Sequence, residues 1–155
     1  MGLFSKKIEL YAPISGELID ISKVEDITFS QKMLGDGVAI NPVNGKLVAP
    51  ADGKIIQVFH TKHAIGIDVD GVELLIHVGM NTVELQGEGF TAHVEAGDKV
   101  KKGDLLLDID LALLREKGFP IETPIVITNM EAIKNLDKKE GTVVAGEDLI
   151  MQIKK

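Results

Sequence analysis

The sequence has no cysteine, and aromatic residues make up only 4% of its 155 residues. The absence of cysteine excludes disulfides, zinc sites built on thiolates and thiol nucleophiles, and it fits a cytosolic protein. The chain also lacks an apolar run long enough to cross a bilayer and the apolar region of a secretory signal. We therefore expect a cytoplasmic protein that does not span a membrane.

Clustered basic charge is absent as well. The net charge of −7 argues against nucleic acid as a partner, and the lysines between Lys99 and Lys102 are interrupted by Val100. The N-terminal residues Met1 to Lys6 narrowly miss an acylation signal, because Lys6 stands where Ser or Thr is required. Residues 1–7 are predicted to form a flexible tail.

Apolar residues are abundant, at 45% of the chain, and they occur in short segments separated by turn residues. Gly and Asp pairs such as Asp52-Gly53 and Asp70-Gly71 supply the positive φ that tight hairpins require. The pattern predicts a single domain, residues 1–155, folded as an all-β antiparallel sandwich or partly closed barrel. The predicted strands are Glu17 to Ile21, Val38 to Asn41, Lys54 to Phe59, Ile65 to Val69, Val72 to Val78, Leu105 to Ile109, Pro124 to Ile127 and Leu149 to Ile153.

Helix is predicted to be minor. Asp110 is a candidate N-cap for a short helix through Leu111, Leu114 and Lys117, and Asn129 for a helix from Glu131 to Leu136. Two internal similarities are also present: residues 12–19 resemble residues 49–56, and residues 94–98 resemble residues 144–148. No fixed period is sustained, so we interpret them as repeated turn units within one fold.

Nucleotide-binding and hydrolase signatures are missing, including the phosphate-binding loop, the dinucleotide-binding turn and the nucleophile elbow. We therefore expect no cofactor. The candidates for chemistry are the histidines His60, His63, His77 and His93, although an arbitrary histidine is more often structural than catalytic.

His63 and His77 have suggestive positions. His63 ends the segment from Phe59, so that Phe59, Thr61 and His63 would share one face of an extended strand. His77 closes an apolar strand immediately before Val78-Gly79, where its ring could be exposed while its other nitrogen bonds a nearby backbone carbonyl.

The loop between the two strands decides how the histidines relate. A two-residue loop at Asp70-Gly71 would place His63 opposite Val78 and send His77 to the other face. A three-residue loop would set His63 directly across from His77, with Cβ atoms about 4.5–5.5 Å apart. Both loops are open, and by strand alternation only the second creates a two-histidine site.

Two close histidines suit two kinds of chemistry. They make a weak zinc site, since no carboxylate or cysteine ligand is evident nearby. Alternatively, one neutral ring takes a phosphoryl group while the other donates a hydrogen bond to its oxygens.

Several segments, in this order, together resemble the glucose-type enzyme IIA family of the bacterial sugar phosphotransferase system. They are Ala12-Pro-Ile-Ser-Gly16, Phe29, Gly35-Asp-Gly-Val-Ala-Ile-Asn-Pro42, Ala49-Pro-Ala-Asp-Gly53, Thr61-Lys-His-Ala-Ile-Gly66, Glu73-Leu-Leu-Ile-His-Val-Gly79 and Thr82-Val-Glu-Leu-Gln-Gly-Glu-Gly-Phe90. The likeness covers nearly the whole chain, and it implies an antiparallel β-sandwich with little helix.

The resemblance also implies roles for the site residues. His77 would be phosphorylated, His63 would stabilise the phosphoryl group and the Thr61 hydroxyl would orient His63. The donor would be the histidine-containing phosphocarrier protein and the acceptor a cysteine on the IIB domain of a glucose-type permease, which makes the chain a phosphotransferase component. No metal is expected.

An apolar rim would bind both partners. Each rim residue could equally belong to the core, except that for Phe29 the rim is favoured. One departure is Asn81, where the family usually has an acidic residue; Asp26, the other acid expected near the site, is present. The rim residues are Ile27, Phe29, Met33, Phe59, Leu75 and Val83.

Two other classes are weaker interpretations. Residues 94–106 resemble a turn unit of biotin- and lipoyl-carrying domains, with Lys134 as the modified lysine, but Lys134 is predicted in a helix rather than in an exposed hairpin. A zinc peptidase of similar architecture requires a carboxylate ligand and a general base near the histidines, and neither is evident.

Overall fold

The computed structural model of the chain describes residues 7–155, and the expectations for Met1 to Lys6 fall outside them. Strands dominate it, joined by tight turns. They are β1 (Lys7–Tyr11), β2 (Gly16–Asp20), β3 (Asp36–Pro42), β4 (Lys46–Val48), β5 (Gly53–Val58), β6 (Ala64–Val69), β7 (Val72–His77), β8 (Phe90–Ala92), β9 (Lys99–Val100), β10 (Leu105–Ile109), β11 (Thr123–Ile127), β12 (Asn135–Lys138), β13 (Gly141–Val143) and β14 (Leu149–Lys154).

Helical structure within residues 7–155 is limited to short elements of three to six residues. They are the α-helices α1 (Ile27–Ser30) and α2 (Leu111–Glu116) and the 3₁₀ turns Ile21–Lys23, Thr82–Leu85 and Met130–Ala132. Within residues 7–155, no helix has the length and apolar character needed to cross a bilayer.

The strands form three antiparallel sheets. The largest has eight strands in the order β13-β2-β3-β11-β7-β6-β5-β9, and two three-stranded sheets have the orders β1-β14-β12 and β4-β10-β8. Side chains from all three sheets meet in one apolar core, for example Leu10, Leu47, Ile65, Ile76 and Leu107. The predicted all-β antiparallel sandwich is confirmed.

The central strand β11 is buried along its whole length, because both of its faces are covered. Ile125 and Ile127 face the main core, whereas Val126 belongs to a second, smaller cluster on the outer face of the large sheet. That second cluster is completed by Ile21, Val24, Phe29, Ala39 and Met80. The cluster lies between α1 and the large sheet, and its Phe29 ring contacts His77.

All eight predicted strands are present, with ends that differ by at most two residues. The predicted helix after Asp110 is also present as α2, and the Asp110 carboxylate accepts from the Leu113 amide. Lys7, which was predicted to belong to a flexible tail, instead pairs with Lys154 at the start of β1.

The helix predicted after Asn129 is wrong. A single 3₁₀ turn is followed by strand β12, and the Asn129 side chain makes no capping bond to that turn. It instead accepts from the Glu73 amide at 2.8 Å and donates to the Gly71 carbonyl at 2.9 Å. Asn129 therefore fastens the β6–β7 hairpin at the end opposite to His77, because these two bonds satisfy backbone groups that the tight turn leaves unpaired.

The internal sequence similarities correspond to a repeated backbone pattern. Three times, one residue donates its amide to the carbonyl of an Asp and accepts at its own carbonyl from the amide of a nearby Gly, with distances of 2.8–2.9 Å. The three sets are Ala12 with Asp148 and Gly146, Ala49 with Asp104 and Gly103, and Ile55 with Asp98 and Gly97. The interpretation as repeated turn units holds.

Candidate functional site

Two histidine rings contact each other at one end of the β6–β7 hairpin. The ring centroids of His63 and His77 lie 4.9 Å apart, with the ring planes at 82°. Phe59 contacts His63 at 5.6 Å and Phe29 contacts His77 at 5.1 Å, centroid to centroid. The histidines are thus flanked by two aromatic rings.

His77 is the last residue of β7, and strand alternation places it on the outer face together with Leu75, opposite the buried Leu74 and Ile76. Its Nδ1 lies 2.8 Å from the carbonyl oxygen of Gly79. A carbonyl can only accept, so Nδ1 carries the proton and Nε2 of the neutral ring has a free lone pair. The sequence had predicted such a carbonyl partner without naming it.

His63 lies in the turn between β5 and β6 and is 4% exposed. Its Nδ1 is 2.6 Å from the Thr61 hydroxyl oxygen, which leaves Nε2 as the nitrogen available to a ligand. The chain reverses through Lys62, whose φ is +60°, and the Lys62 amide donates to the Phe59 carbonyl at 2.7 Å. The turn brings Thr61 and His63 together, whereas the sequence predicted that they share a strand face.

The hairpin uses the two-residue loop, with Val69 opposite Val72 and positive φ at both Asp70 and Gly71. The expectation that this loop separates the histidines is wrong. Ala64 is opposite His77, and His63 precedes the first residue of β6, so strand alternation does not govern where its ring points.

Burial controls the charge of both rings. Burial, with a smaller contribution from neighbouring His77, lowers the pKa of His63 to about 4. Burial also lowers the pKa of His77, although the hydrogen bond to Gly79 and the charge of Asp26 act in the opposite direction. Both rings are therefore neutral at pH 7, and a neutral imidazole is the form that can act as a nucleophile.

Phe29 is a core residue, contrary to the prediction that it belongs to an exposed rim. It is 4% exposed and packs in the second cluster with Met80 and Val126. Asp26 is the N-cap of α1, and its carboxylate accepts from the Thr28 amide at 2.8 Å. The helix packs the Phe29 ring against the sheet.

Several of the other predicted rim residues are exposed. Ile27 is 62% exposed, Met33 is 68% exposed and Val83 is 50% exposed, while Phe59 and Leu75 are half-buried. Asn81 is exposed, with φ of +60° at the start of the Thr82–Leu85 turn, and its side chain makes no capping bond there. Ile27 belongs to the same helix as Phe29, which contacts the His77 ring, and Val83 follows His77 by six residues.

The other two histidines are exposed. His60 is exposed in the β5–β6 turn, and His93 pairs through Nε2 with the Asp108 carboxylate at 2.7 Å. Across residues 7–155 there is no group of three or more His, Asp or Glu side chains placed to hold a metal ion.

Comparisons with known proteins show the family of the chain. Residues 8–133 match the family described as phosphoenolpyruvate-dependent sugar phosphotransferase system, EIIA 1. The chain belongs to this EIIA family. It is 48% identical to the PTS system glucose-specific EIIA component of Haemophilus influenzae, with 100% of both chains covered. It is 52% identical to the component of the same name from Halalkalibacterium halodurans, over 94% of this chain and 85% of that protein.

The fold agrees with that of a solved EIIA structure. The glucose permease IIA from Mycoplasma capricolum superposes with a TM-score of 0.90 at 40% identity, covering 96% of this chain and 97% of that one. The interpretation as a lipoyl-type carrier does not apply to an EIIA protein. Lys134 is not at a hairpin tip either, because its amide donates to the Lys154 carbonyl just before β12.

Sequence reasoning missed Thr82. It is fully buried, and its hydroxyl donates to the carbonyl of Val78 at 2.5 Å. The available signal was its position five residues after His77, close enough to fold back onto the turn that follows the strand.

Proposed function

We propose that His77 carries a phosphoryl group on Nε2, in the cytoplasm, between two protein partners. The donor is the histidine-containing phosphocarrier protein, and the acceptor is a cysteine on the IIB domain of a glucose-type sugar permease. The observation that carries the proposal is the bond from His77 Nδ1 to the Gly79 carbonyl, which leaves the Nε2 lone pair free beside a second buried histidine. Relatives named as glucose-specific EIIA components support the sugar class.

The transfer is a pair of in-line displacements at phosphorus. In the first, the Nε2 lone pair of His77 forms the new N–P bond, while the N–P bond of the donor breaks and its electron pair returns to the donor ring. In the second, the acceptor thiolate attacks the phosphorus and the electron pair of the breaking N–P bond returns to His77. No bond to the sugar changes in either step.

His63 and Thr61 support the phosphoryl group in this proposal. When the Thr61 hydroxyl donates to Nδ1 of His63, the proton of the neutral ring is on Nε2, from which it can be donated to a phosphoryl oxygen. Phosphoryl transfer depends mainly on positioning and on donors directed at the equatorial oxygens, so a fixed N–H donor is what this chemistry requires.

The partners would bind at the apolar surface beside the histidines. Ile27, Met33 and Val83 are exposed, and the half-buried His77 contacts Phe29, which belongs to the same helix as Ile27. An exchange surface for two successive partners benefits from an apolar centre, because it buries area with either partner without requiring a unique set of charge pairs.

The experiment is phosphorylation from phosphoenolpyruvate with the two upstream proteins, followed by delivery to a IIB domain. His77→Gln should not be labelled, while the control His93→Gln should be labelled normally, since His93 lies elsewhere in the fold. His63→Gln should still be labelled but should deliver to IIB more slowly by about 10²–10³, the usual cost of losing one donor at such a site. Normal labelling of folded His77→Gln would refute the proposal.

A further inference from the structure

The turn after β7 has to hold one carbonyl oxygen in a fixed place. Gly79 O is the acceptor for His77 Nδ1, so its position determines which nitrogen of the neutral ring keeps the proton. The backbone there is held partly from outside: the Gly79 amide donates to Glu122 O at 3.1 Å and the Met80 amide to Pro120 O at 3.0 Å. These two bonds fix one side of the turn.

Thr82 contacts the same turn through both its hydroxyl and its methyl group. Its hydroxyl donates to Val78 O at 2.5 Å, which joins the two ends of the segment that contains Gly79. Its methyl group packs against Gly79, since a Cβ built on Gly79 would lie 2.7 Å from Thr82 Cγ2. Gly79 itself has φ of +74° and the same Cβ would lie 2.7 Å from Pro120 O. The peptide that accepts from His77 is thus confined on both sides.

Within residues 7–155 the Thr82 side chain is fully buried, so its hydroxyl is not positioned to meet a partner or a phosphoryl group. A β-branched residue with a hydroxyl is costly to bury unless the hydroxyl is hydrogen-bonded. Here the hydroxyl is satisfied by the carbonyl at the start of the turn that orients His77.

We propose that Thr82 is a positioning residue for phosphoryl transfer, which sets the tautomer of His77 by fixing the Gly79 carbonyl. This inference rests on the proposed function for its consequence on rate, but the tautomer itself is measurable without any phosphate. Loss of the hydroxyl frees the Val78 carbonyl and loosens the turn. The Gly79 carbonyl then no longer holds the proton on Nδ1, and the tautomer protonated on Nε2, which cannot attack, becomes populated.

The test compares Thr82→Val, which replaces the hydroxyl by a methyl group, with Thr82→Ser, which keeps it. Long-range ¹H–¹⁵N correlation spectra of the histidine ring report which nitrogen of His77 carries the proton. In wild type and in Thr82→Ser, the Nε2 resonance should be that of an unprotonated nitrogen. In Thr82→Val it should move towards that of a protonated nitrogen, and the phosphorylation rate should fall about 10–100-fold, as for other groups that orient a functional histidine.

The matched control is Thr128→Val. The Thr128 hydroxyl also donates to a backbone carbonyl, that of Glu73 at 3.3 Å, but Glu73 lies near the start of β7, at the end of the strand opposite to His77. It should leave both the ring resonances and the rate unchanged. If Thr82→Val does not fold, Thr82→Ala and Thr82→Ser provide the same comparison, since both remove the methyl group and only one removes the hydroxyl.

Two results would overturn the role of Thr82. One is a folded Thr82→Val, or Thr82→Ala, with wild-type ring resonances and rate. The other is Thr82→Ser that behaves like Thr82→Val, because the hydroxyl would then be insufficient to set the tautomer of His77. Wild-type protein that is never labelled on His77 would instead refute the proposed function, and the ring spectra would still report on Thr82.

Discussion

The two histidines illustrate how burial selects a protonation state at the scale of single residues. His63 has a pKa of about 4 in the folded chain against an ordinary value of 6.5. Between these values the unfolded chain binds more protons at this position than the folded chain does. Stability contributed by this group is therefore present above pH 6.5 and is lost as the pH falls towards 4.

We predict that the free energy of unfolding falls by up to about 3 kcal/mol from His63 alone between these two pH values, the equivalent of the pKa difference. Urea unfolding of wild type and His63→Gln at a series of pH values measures it. Carboxylates titrate in the same pH range and affect both proteins. The quantity to follow with pH is therefore the difference in the free energy of unfolding between wild type and His63→Gln. A difference that does not change between pH 7 and pH 4 would contradict the burial of a neutral His63.

At position 81 the sequence resemblance predicts an acidic residue, whereas the chain has Asn81. Its backbone is left-handed, a conformation that Asn and Asp tolerate better than other residues with a Cβ, so Asn81→Asp should keep the fold. We predict faster transfer from a basic donor at low salt, since the added carboxylate steers association. The gain should shrink as the Debye length shortens to about 8 Å near 0.15 M salt.

The same substitution should alter His77 itself. A carboxylate beside the ring raises the pKa of free His77 and repels a bound phosphoryl group, so the phosphorylated form should be shorter-lived. Stopped-flow transfer at two salt concentrations and the decay of isolated phosphoprotein measure both effects. If neither changes, Asn81 lies outside the working site.

The two candidate histidines could be chosen from the sequence, but the contact between their rings could not be derived from it. Alternation places residues correctly only inside a strand, and it placed Leu75 and His77 on one face of β7. His63 precedes β6, in a turn whose course depends on the left-handed Lys62. For Thr82 the only signal was its position five residues after His77, since nothing in its local sequence reveals that its hydroxyl donates to Val78 O.

At the scale of elements, α1 shows that neighbouring apolar residues can have different roles, one in the core and one at the surface. One side of this single turn packs Phe29 onto the sheet, and the neighbouring Ile27 faces outwards. The sequence around Phe29 does not reveal which side is buried, because four residues are too few for a helical period to be recognised. The burial of Phe29 follows from the tertiary position of α1 over Val126 and Ala39.

We therefore predict opposite results for Phe29→Ala and Met33→Ala. Phe29→Ala should lower the free energy of unfolding by about 3–5 kcal/mol, the usual cost of removing a buried aromatic ring. Met33→Ala should leave stability nearly unchanged, since Met33 is 68% exposed, but should weaken transfer with both partners. Denaturant unfolding and the two transfer rates distinguish these roles. Normal transfer by Met33→Ala would remove this residue from the proposed partner surface.

At the scale of the whole molecule, the sandwich depends on close approach between backbones. A Cβ added to any of four glycines would lie 1.8–2.1 Å from a carbonyl oxygen of a neighbouring segment. These glycines are Gly16, Gly35, Gly37 and Gly45. The high glycine content of the chain, which the sequence linked only to turns, therefore has a second cause: strands and turns that pack backbone to backbone leave no room for a side chain.

The cost of filling such a close approach can be tested by comparing a glycine in contact with a neighbouring strand and a glycine in an open turn. Gly45 lies just before β4, where a Cβ would be 1.8 Å from Ile109 O, and its own carbonyl accepts from the Ile109 amide at 2.8 Å. Gly103 has φ of +91° in an open turn, and a Cβ added there would have no atom of residues 7–155 within 4 Å beyond its chain neighbours. Gly103→Ala should therefore cost only the left-handed backbone strain, about 1–2 kcal/mol.

Gly45→Ala should cost clearly more than Gly103→Ala, because two backbone segments must move apart and the bond between them must lengthen or break. Equilibrium unfolding in urea measures both costs, and amide hydrogen exchange at Ile109 shows whether the bond to Gly45 has opened. Ile109 should exchange faster in Gly45→Ala and at the wild-type rate in Gly103→Ala. Equal losses of stability, with Ile109 protected in both variants, would mean that backbone strain alone governs these glycines and that close packing between neighbouring strands does not.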